Sequence, residues 1–512
     1  MLKAPQLKFS NICSNDGANP FGFGQSVGLA CQTHDSSFEV SEENMSYYDS
    51  FGKFGEKTAF LQEGGETLSY AGLEDFAKEL GAAVGGRCLV FCFCKNVIGS
   101  AAGYLSFLYN KVVPLMVDAN INDVLAQHLL EVYSPSYLYL PDELLEKYSY
   151  PVVLSRFGYS LVKTDFETVY PLYDELALLL TTSGSTGSPK LVRQSYKNIQ
   201  ANTDSIVEYL ELDDTERPVT TLPMNYTYGI SIINSHTQVG ATMLLTTNPI
   251  VSKDFWSFMK DNHATSFGGV PFTYEMLKRI RFFRMELPDL RTMTQAGGKL
   301  APELQKEFAE YAEKTGKHFV VMYGQTEATA RMAYLPYDKS LEKFGSMGIE
   351  IPGGRFILRD VNDNPIEQPD VVGELVYEGD NVTLGYAQCG EDLIKGDERG
   401  GRLETGDMAK RDEDGYYYIV GRKKRFLKLF GNRVNLDEID RMVKAAFEDT
   451  DCASTGTDEL MQIFITNPAH KDAVLELIHD RTHLNPRAYT VRIVDEIPKN
   501  EAGKVLYKNL PQ

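Results

Sequence analysis

The sequence predicts an α/β protein: a large amino-terminal body of doubly wound sheets with a small β-barrel-like part, followed by a small α+β domain. Three observations predict this fold class. Apolar runs of strand length alternate with segments of helical periodicity up to about residue 350. The chain then becomes rich in alternating β segments with turns at Gly, Asn and Asp. After residue 435 amphipathic helices and short strands mix again.

The first strand–helix–strand unit lies near the amino-terminal end of the body. Strands are predicted at 88–94 ("CLVFCFC") and 111–118, with a helix at 99–110 between them. This succession is the unit of a parallel sheet. It recurs as a strand at 176–182, a helix at 198–210, strands at 217–223 and 241–247, a helix at 255–264, a strand at 266–271 and a helix at 272–280.

The change of texture sets the predicted domain boundaries. We place a large domain at 1–420, with its β-rich part at about 345–420. The polar, turn-forming segment "GRKKR" (421–425) is the predicted link, and residues 426–512 form the predicted small domain.

Composition narrows the function classes. A net charge of −20 argues against a protein that coats nucleic acid, because nothing offsets phosphate repulsion. The cysteine count is odd, at seven, and no CxxC occurs, which fits a reducing compartment. No apolar run approaches the roughly 18 residues of a membrane span, and the first residues lack a signal-peptide core. We expect a cytoplasmic protein without a membrane span.

The segment "TSGSTGSPK" (182–190) directly follows a buried apolar strand. It buries almost nothing, but it offers backbone N–H groups, hydroxyls and the cation of Lys190, which suit a polyphosphate. It matches neither a Walker loop nor GxGxxG. Taken alone, such a loop is more often a turn.

Three later segments supply candidate partners for a nucleotide. "MYGQTEAT" (322–329) follows a predicted strand, where α/β sheets bind ligands, although Thr326 and Glu327 also suit a helix start. "TGD…GR" supplies Asp407 and Arg422, where an Asp in a turn is usually turn chemistry. "PKNEAGK" ends in Lys504, by default a solvated lysine.

These motifs, in this order and spacing, resemble the adenylate-forming (AMP-binding) superfamily, which comprises acyl- and aryl-CoA synthetases, peptide-synthetase adenylation domains and luciferases. The resemblance covers nearly the whole chain. It implies an acid–thiol ligase that uses ATP and Mg²⁺ to make an acyl-adenylate and pyrophosphate. It further implies transfer of the acyl group to a pantetheine thiol, on CoA or on a carrier protein.

The resemblance also implies site residues in four groups. The nucleotide-binding group is Thr182, Ser183, Gly184, Ser185, Thr186, Gly187, Lys190, Gly297, Gly298, Tyr323, Gly324, Asp407 and Arg422. The catalytic group is Lys504, Thr326 and Glu327, with Glu327 as the metal ligand. The substrate pocket is Tyr226, Thr227, Gly229, Gly268 and Gly269, with Tyr228, Ser235, Val270 and Pro271 around it. Lys424 is the hinge about which a mobile small domain swings between the two half-reactions.

Within these groups the implied contacts are specific. The 182–190 loop folds over the β- and γ-phosphates, and Thr326 contacts the α-phosphate. Tyr323 stacks on the adenine, which Gly297 and Gly298 line. Asp407 and Arg422 bind the ribose hydroxyls. Lys504 reaches both the carboxylate and the α-phosphate.

Four positions depart from the family pattern. Tyr226 replaces a common His or Trp, and Thr227 stands where amino-acid-activating members carry Asp, which argues against an α-amino acid. Leu436 stands where CoA ligases commonly carry Pro, and its segment is more similar to domains that load carrier proteins. The choice between CoA and a carrier protein as acceptor therefore stays open. Tyr507 replaces a common Arg. The alternatives are a stand-alone amino-acid adenylation enzyme, a nucleotide-binding module without turnover and a luciferase-like oxidation.

Overall fold

The computed structural model describes residues 46–181, 190–429, 432–457, 459–482, 484–499 and 505–511. Residues Thr182–Gly187 of the predicted phosphate loop lie outside the described residues, as does Lys504. The roles proposed for them from the sequence therefore stay predictions.

The helices follow the predicted periodicity, and their ends carry recognisable caps. Before α4, the Ser195 hydroxyl accepts a bond from the Asn198 N–H, and the Asn198 side chain accepts one from the Ser195 N–H, which is a capping box. The helices are α1 (Tyr70–Val84), α2 (Ile98–Tyr109), α3 (Asp123–Tyr133), α4 (Tyr196–Tyr209), α5 (Thr227–Gln238), α6 (Lys253–Asp261), α7 (Pro271–Arg279), α8 (Pro302–Thr315), α9 (Leu436–Ala446) and α10 (Lys471–Thr482).

A nine-stranded sheet, the first of two large sheets, has the order β16-β15-β14-β13-β12-β10-β11-β1-β2. Its central strands are parallel, and β2, β15 and β16 pair antiparallel at the edges. The strands are β1 (Thr58–Gln62), β2 (Thr67–Ser69), β10 (Pro218–Val219), β11 (Met243–Leu245), β12 (Ser266–Gly269), β13 (Thr292–Gln295), β14 (His318–Tyr323), β15 (Ala333–Tyr334) and β16 (Ile349–Glu350).

The second large sheet has eight strands in the order β19-β9-β8-β4-β3-β5-β7-β6. Strands β3, β4 and β8 are almost wholly buried apolar runs, as expected for parallel strands covered on both faces. The strands are β3 (Leu89–Cys94), β4 (Val113–Asp118), β5 (Tyr137–Pro141), β6 (Val152–Arg156), β7 (Tyr159–Lys163), β8 (Leu176–Thr181), β9 (Leu191–Ser195) and β19 (Gly385–Ala387).

Three smaller sheets complete the fold. The predicted β-rich part forms a four-stranded antiparallel sheet in the order β17-β18-β20-β21. The other two, β22-β23 and β24-β25-β26, lie after residue 425. The strands are β17 (Gly354–Arg359), β18 (Gly373–Gly379), β20 (Arg402–Arg411), β21 (Tyr417–Arg422), β22 (Phe426–Leu429), β23 (Asn432–Asn435), β24 (Cys452–Gly456), β25 (Met461–Ile465) and β26 (Tyr489–Ile493).

The two large sheets share one layer of helices. A core cluster joins α1, α2, α4 and α5 to β3, β8 and β11, so these helices lie between the sheets. The far face of the nine-stranded sheet packs on α6, α7 and α8, and the far face of the eight-stranded sheet packs on α3. Residues after 426 bury a separate core around α9, α10 and β25.

The predicted α/β class is confirmed, with one refinement. In the part of the chain that the structure describes, the four-stranded sheet stays open and does not close into a barrel. The division at 420, the link at 421–425 and the mobility of the small domain stay predictions. None of the described helices is long and apolar enough to cross a membrane.

Candidate active site

Three neighbouring parallel strands bring the predicted site segments to one edge of the nine-stranded sheet. Gly269 at the end of β12 pairs with Gln295 at the end of β13, and Gln295 pairs with Val321 near the end of β14. The segments that follow these strands contain the predicted pocket, adenine and metal residues. The carboxyl edge of such a sheet is where α/β proteins bind ligands.

The loop after β14 is held in a narrow fold. The Met332 N–H donates to the Tyr323 carbonyl at 2.8 Å, which closes the loop at its base. A Cβ on Gly324 would collide with the carbonyl oxygen of Ala330, so this position requires glycine. Thr326 and Glu327 lie at the far end of the loop in a 3₁₀ turn, Thr326–Ala328.

Tyr323, Asp407 and Arg422 lie together. The resemblance assigns Tyr323 to the adenine and Asp407 with Arg422 to the ribose, and these roles stay predictions. The Tyr323 hydroxyl donates to Asp407 Oδ2 at 2.5 Å, and Arg422 Nε lies 2.7 Å from Asp407 Oδ1. Gln325 Nε2 donates to Asp407 Oδ2 at 3.0 Å. Burial, followed by the charge of Asp407, raises the pKa of Tyr323 well above its usual value, so the phenol stays protonated. The buried carboxylate is therefore fixed by three side chains.

Glu327 belongs to a second cluster, which reaches the edge of the eight-stranded sheet. Its Oε1 accepts a bond from the Tyr386 hydroxyl at 2.7 Å. Lys190 Nζ lies 3.4 Å from the centre of the Tyr386 ring, and the Arg399 guanidinium carbon lies 4.7 Å from it. Arg399 also donates to the Glu327 carbonyl at 2.9 Å. Two cations and a carboxylate thus surround one aromatic ring.

This second cluster suits a magnesium-bound polyphosphate. Mg²⁺ is usually held by one or two carboxylates together with substrate phosphates, and Glu327 offers one carboxylate beside two cations. Among the described residues, the Glu327 side chain accepts one hydrogen bond, from Tyr386, and a carboxylate has about four lone-pair sites. Burial and the Glu327 charge raise the pKa of Tyr386 to about 12, so this hydroxyl remains a donor that orients Glu327.

Tyrosines line the predicted substrate pocket. The Tyr226 hydroxyl would lie 2.6 Å from a Cβ on Gly297, and Gly297 has a φ of +81°. A side chain at Gly297 would therefore be strained and would also displace Tyr226. The Tyr226 and Tyr228 ring centres are 6.4 Å apart, and the Tyr228 hydroxyl bonds Thr294 Oγ1 at 2.7 Å. A Cβ on Gly268 would lie 2.9 Å from the Tyr228 hydroxyl.

Other predicted pocket residues make packing contacts. Thr227 is buried, and its hydroxyl donates to the Thr329 carbonyl. A Cβ on Gly229 would collide with the carbonyl oxygen of Pro223, so Gly229 lets the helix α5 approach the preceding turn. A Cβ on Gly269 would lie 2.9 Å from Thr273 Cγ2. Contact of these residues with a substrate stays a prediction.

Lys424 lies exposed in a 3₁₀ turn, Lys423–Arg425, between β21 and β22. Lys299, next to Gly298, donates to the Ile419 carbonyl at 2.8 Å, and Asn435 Nδ2 donates to the Val420 carbonyl at 2.9 Å.

Tyr507, which departs from the family pattern, packs on the end of the link. The Arg425 guanidinium carbon lies 3.9 Å from its ring centre, and Arg425 pairs with Asp437 at 2.7 Å and Asp440 at 2.6 Å. The described tail residues 505–511 are thereby attached beside the residues that precede α9.

Sequence reasoning missed several side chains of the two clusters. Gln325 lies inside the quoted motif, and its position at the end of a strand was the available signal. Tyr386 and Arg399 lie in a segment predicted only to be β-rich. Their roles depend on the antiparallel pairing of β19 with β9, which brings Tyr386 beside Val192 and so near Lys190.

Comparison with known proteins identifies the family of this chain. Residues 48–387, more than half of the chain, match the model of the family described as AMP-binding enzyme. The chain belongs to this family. It is 31% identical over 359 residues to a long-chain-fatty-acid–CoA ligase of Yersinia pestis, a match covering 66% of this chain and 61% of that protein. It is 29% identical over 275 residues to an oxalate–CoA ligase of Arabidopsis thaliana, covering 53% and 52% of the two chains.

Solved structures share the fold. The O-succinylbenzoate coenzyme A synthetase of Bacillus subtilis, in complex with AMP, superposes with a TM-score of 0.74 at 18% identity and covers 91% of this chain and 98% of its own. ATP-bound MatB of Rhodopseudomonas palustris gives a TM-score of 0.73 at 20% identity, with the same coverages. At these identities the likeness concerns the fold.

Proposed function

We propose that this chain is an ATP-dependent ligase that activates a carboxylic acid as its acyl-adenylate and then transfers the acyl group to the thiol of coenzyme A. The observation that carries the proposal is the pair of clusters at one sheet edge. Asp407 with Arg422 offers a ribose site beside Tyr323, the proposed adenine platform, and Glu327 with Lys190 and Arg399 offers a site for magnesium and phosphates. The relatives named as CoA ligases support coenzyme A as the acceptor.

The first half-reaction requires two anions to meet. A carboxylate oxygen attacks the α-phosphorus, a P–O bond forms, and the bond to the bridging oxygen of pyrophosphate breaks. Rate then depends chiefly on positioning and on charge neutralisation. Lys190 and Arg399 lie where phosphate charge would be neutralised, Glu327 supplies the metal ligand, and Lys504 is the proposed cation at the reacting centre.

The second half-reaction needs a different arrangement at the same site. The thiol sulfur attacks the acyl carbon, its proton is lost, and AMP leaves with the bridging oxygen. We propose that residues 426–512 rotate about Lys424 between the steps, so that Lys504 departs and a pantetheine arm enters. The turn Lys423–Arg425, in which Lys424 is exposed, precedes the separate core of the residues after 426 and supports such a rotation.

An exchange assay tests the first half-reaction. The enzyme, ATP, Mg²⁺ and labelled pyrophosphate are incubated with each member of a panel of carboxylic acids, and label in ATP is measured. Acid-dependent exchange supports the proposal. Exchange with none of the acids would favour the nucleotide-binding module without turnover, and exchange driven by α-amino acids would favour the amino-acid adenylation enzyme.

The acceptor is tested separately with the acid that drives exchange. Coenzyme A and a phosphopantetheine-bearing carrier protein are offered at equal concentration, and thioester is measured by mass spectrometry. We expect acyl-CoA. Acylation of the carrier protein alone would fit the departure at Leu436 and would replace coenzyme A in the proposal.

A further inference from the structure

Arg331 is a buried arginine at the base of the loop that carries Glu327. It is 2% exposed. Its guanidinium donates to the Tyr209 hydroxyl at 2.9 Å, the Ser231 hydroxyl at 3.2 Å and the Met322 sulfur at 3.2 Å. Arg331 Nε is buried without a hydrogen-bond partner. Within the described ranges no carboxylate forms an ion pair with this guanidinium.

The surroundings of Arg331 leave its charge largely uncompensated. Arg193, which is 0% exposed, pairs with Glu398, and Arg425 pairs with two aspartates. Arg331 instead has two neutral hydroxyls and a thioether. A buried cation is costly unless an anion or several good acceptors compensate it. His236, buried nearby, adds no second positive charge, because burial, with a smaller contribution from the Arg331 charge, lowers its pKa to about 4.

Arg331 lies beside Tyr228, one of the two tyrosines of the predicted substrate pocket. Its guanidinium carbon lies 5.0 Å from the centre of the Tyr228 ring. Tyr228 neighbours Tyr226, and Tyr226 lies against Gly297 in the adenine segment. A chain of side-chain contacts thus leads from Gly297 in the proposed adenine segment, through Tyr226 and Tyr228 of the proposed acyl pocket, to a guanidinium that has no ion pair among the described residues.

We propose that the acid activated by this chain carries a second carboxylate, which Arg331 binds at the far end of the acyl pocket. This inference rests on the proposed function and narrows its substrate class to dicarboxylic acids. One carboxylate reacts with ATP, while the other accepts charge-assisted bonds from the guanidinium, the planar fork of which matches a carboxylate. Arg331 is then a specificity residue distant from the reacting atoms.

Matched acids test the inference on the unaltered protein. Exchange kcat/KM is measured for α,ω-dicarboxylic acids of three to eight carbons and for the monocarboxylic acids of the same carbon number. For at least one chain length, the kcat/KM of the dicarboxylic acid should exceed that of the matched monocarboxylic acid by about 10-fold or more, as expected for a hydrogen-bonded charge pair. A pocket without a usable cation would reverse the preference, because an unpaired carboxylate would lose its hydration.

Variants separate a specificity role from a structural one. Arg331→Met should lower the ratio of dicarboxylic to monocarboxylic kcat/KM by about 10–100-fold, while Arg331→Lys should retain part of it. Arg355→Met, at an arginine that is exposed, is the control and should leave the ratio unchanged. An equal loss for both acids in Arg331→Met would make the residue structural and overturn the inference.

The outcomes also distinguish the inference from the proposed function. If monocarboxylic acids drive exchange and no dicarboxylic acid has a higher kcat/KM than the monocarboxylic acid of the same length, the ligase proposal would stand and the proposal of a second carboxylate would be wrong. Exchange with no acid of either series would contradict both the ligase proposal and the proposed substrate class. The comparison within the wild-type protein holds even if Arg331→Met does not fold.

Discussion

The Tyr323 hydroxyl and the Asp407 carboxylate are joined by a 2.5 Å hydrogen bond across 84 positions of sequence. Tyr323 ends a strand of the nine-stranded sheet, whereas Asp407 lies on β20 of the open four-stranded sheet. The bond therefore attaches the proposed adenine platform to the proposed ribose ligand. Any movement of one sheet against the other would alter both contacts at once.

Removal of the Asp407 charge should weaken ATP binding. Asp407→Asn is expected to raise the KM for ATP by about 10–100-fold, since hydrogen bonds to a charged group are the stronger kind. Tyr323→Phe keeps the aromatic ring and leaves the Asp407 carboxylate in place, so it should raise the KM for ATP by less. Asp480→Asn, on the exposed side of α10, is the control. Initial rates over an ATP series measure the effect, and an unchanged KM in Asp407→Asn would contradict the ribose assignment.

The negative charge of Glu327 should contribute more to the adenylation rate than its hydrogen bond with Tyr386. Glu327→Gln retains an oxygen that can accept from Tyr386 but removes the anionic metal ligand. We expect adenylation to fall on the order of 10²–10³-fold and the Mg²⁺ requirement to rise. Glu413→Gln, at an exposed turn, serves as the matched control. If Glu327→Gln kept wild-type rates across a magnesium titration, the metal assignment would fail.

Lys504 should act in only one half-reaction. Lys504→Ala is expected to suppress exchange strongly, because it removes a cation where two anions meet. Thiolation of a chemically prepared acyl-adenylate should stay near the wild-type rate. Rapid-quench measurement of each half-reaction decides the matter. Equal losses in both would contradict rotation of the small domain about Lys424.

Buried His236 should make stability depend on pH. Its folded-state pKa of about 4 lies below its ordinary value of 6.5, so between these values the unfolded chain binds a proton that the folded chain does not. The free energy of unfolding should therefore fall as the pH drops from 7 to 4, by at most about 3 kcal/mol from this group.

Urea unfolding at pH 7 and pH 5 measures this contribution. His236→Asn should show a smaller loss of stability between the two pH values than the wild type. His263→Asn is the control, since the side chain of His263 is 71% exposed. A wild-type pH dependence in His236→Asn would show that other groups cause it.

The sequence predicted the sheets well where strands are buried on both faces. The apolar runs that became β3, β4 and β8 have no polar alternation, which is typical of parallel strands. The barrel-like closure was not realised, because closure depends on pairing between the first and last strands of a sheet. Local alternation in β17 or β21 carries no information on that pairing.

The site was predictable in its motifs and not in its supporting contacts. Tyr323, Asp407 and Arg422, which two separate motifs supply, lie together in the structure, and their contacts with a nucleotide stay predictions. Tyr386, Arg399 and Arg331 were not foreseen, because each acts through a partner in another part of the fold. Tyr386 reaches Lys190 only through an antiparallel edge strand, and the isolation of Arg331 from carboxylates becomes visible only once its neighbours are known.

The origin of one oxygen atom tests the central claim most directly. An acid that drives exchange is prepared with ¹⁸O in its carboxylate and is converted with ATP and coenzyme A, and the AMP is analysed by mass spectrometry. Attack of the carboxylate on the α-phosphorus predicts AMP with one ¹⁸O atom and unlabelled pyrophosphate. AMP without label, or label in a phosphate released from the γ position, would contradict the formation of an acyl-adenylate.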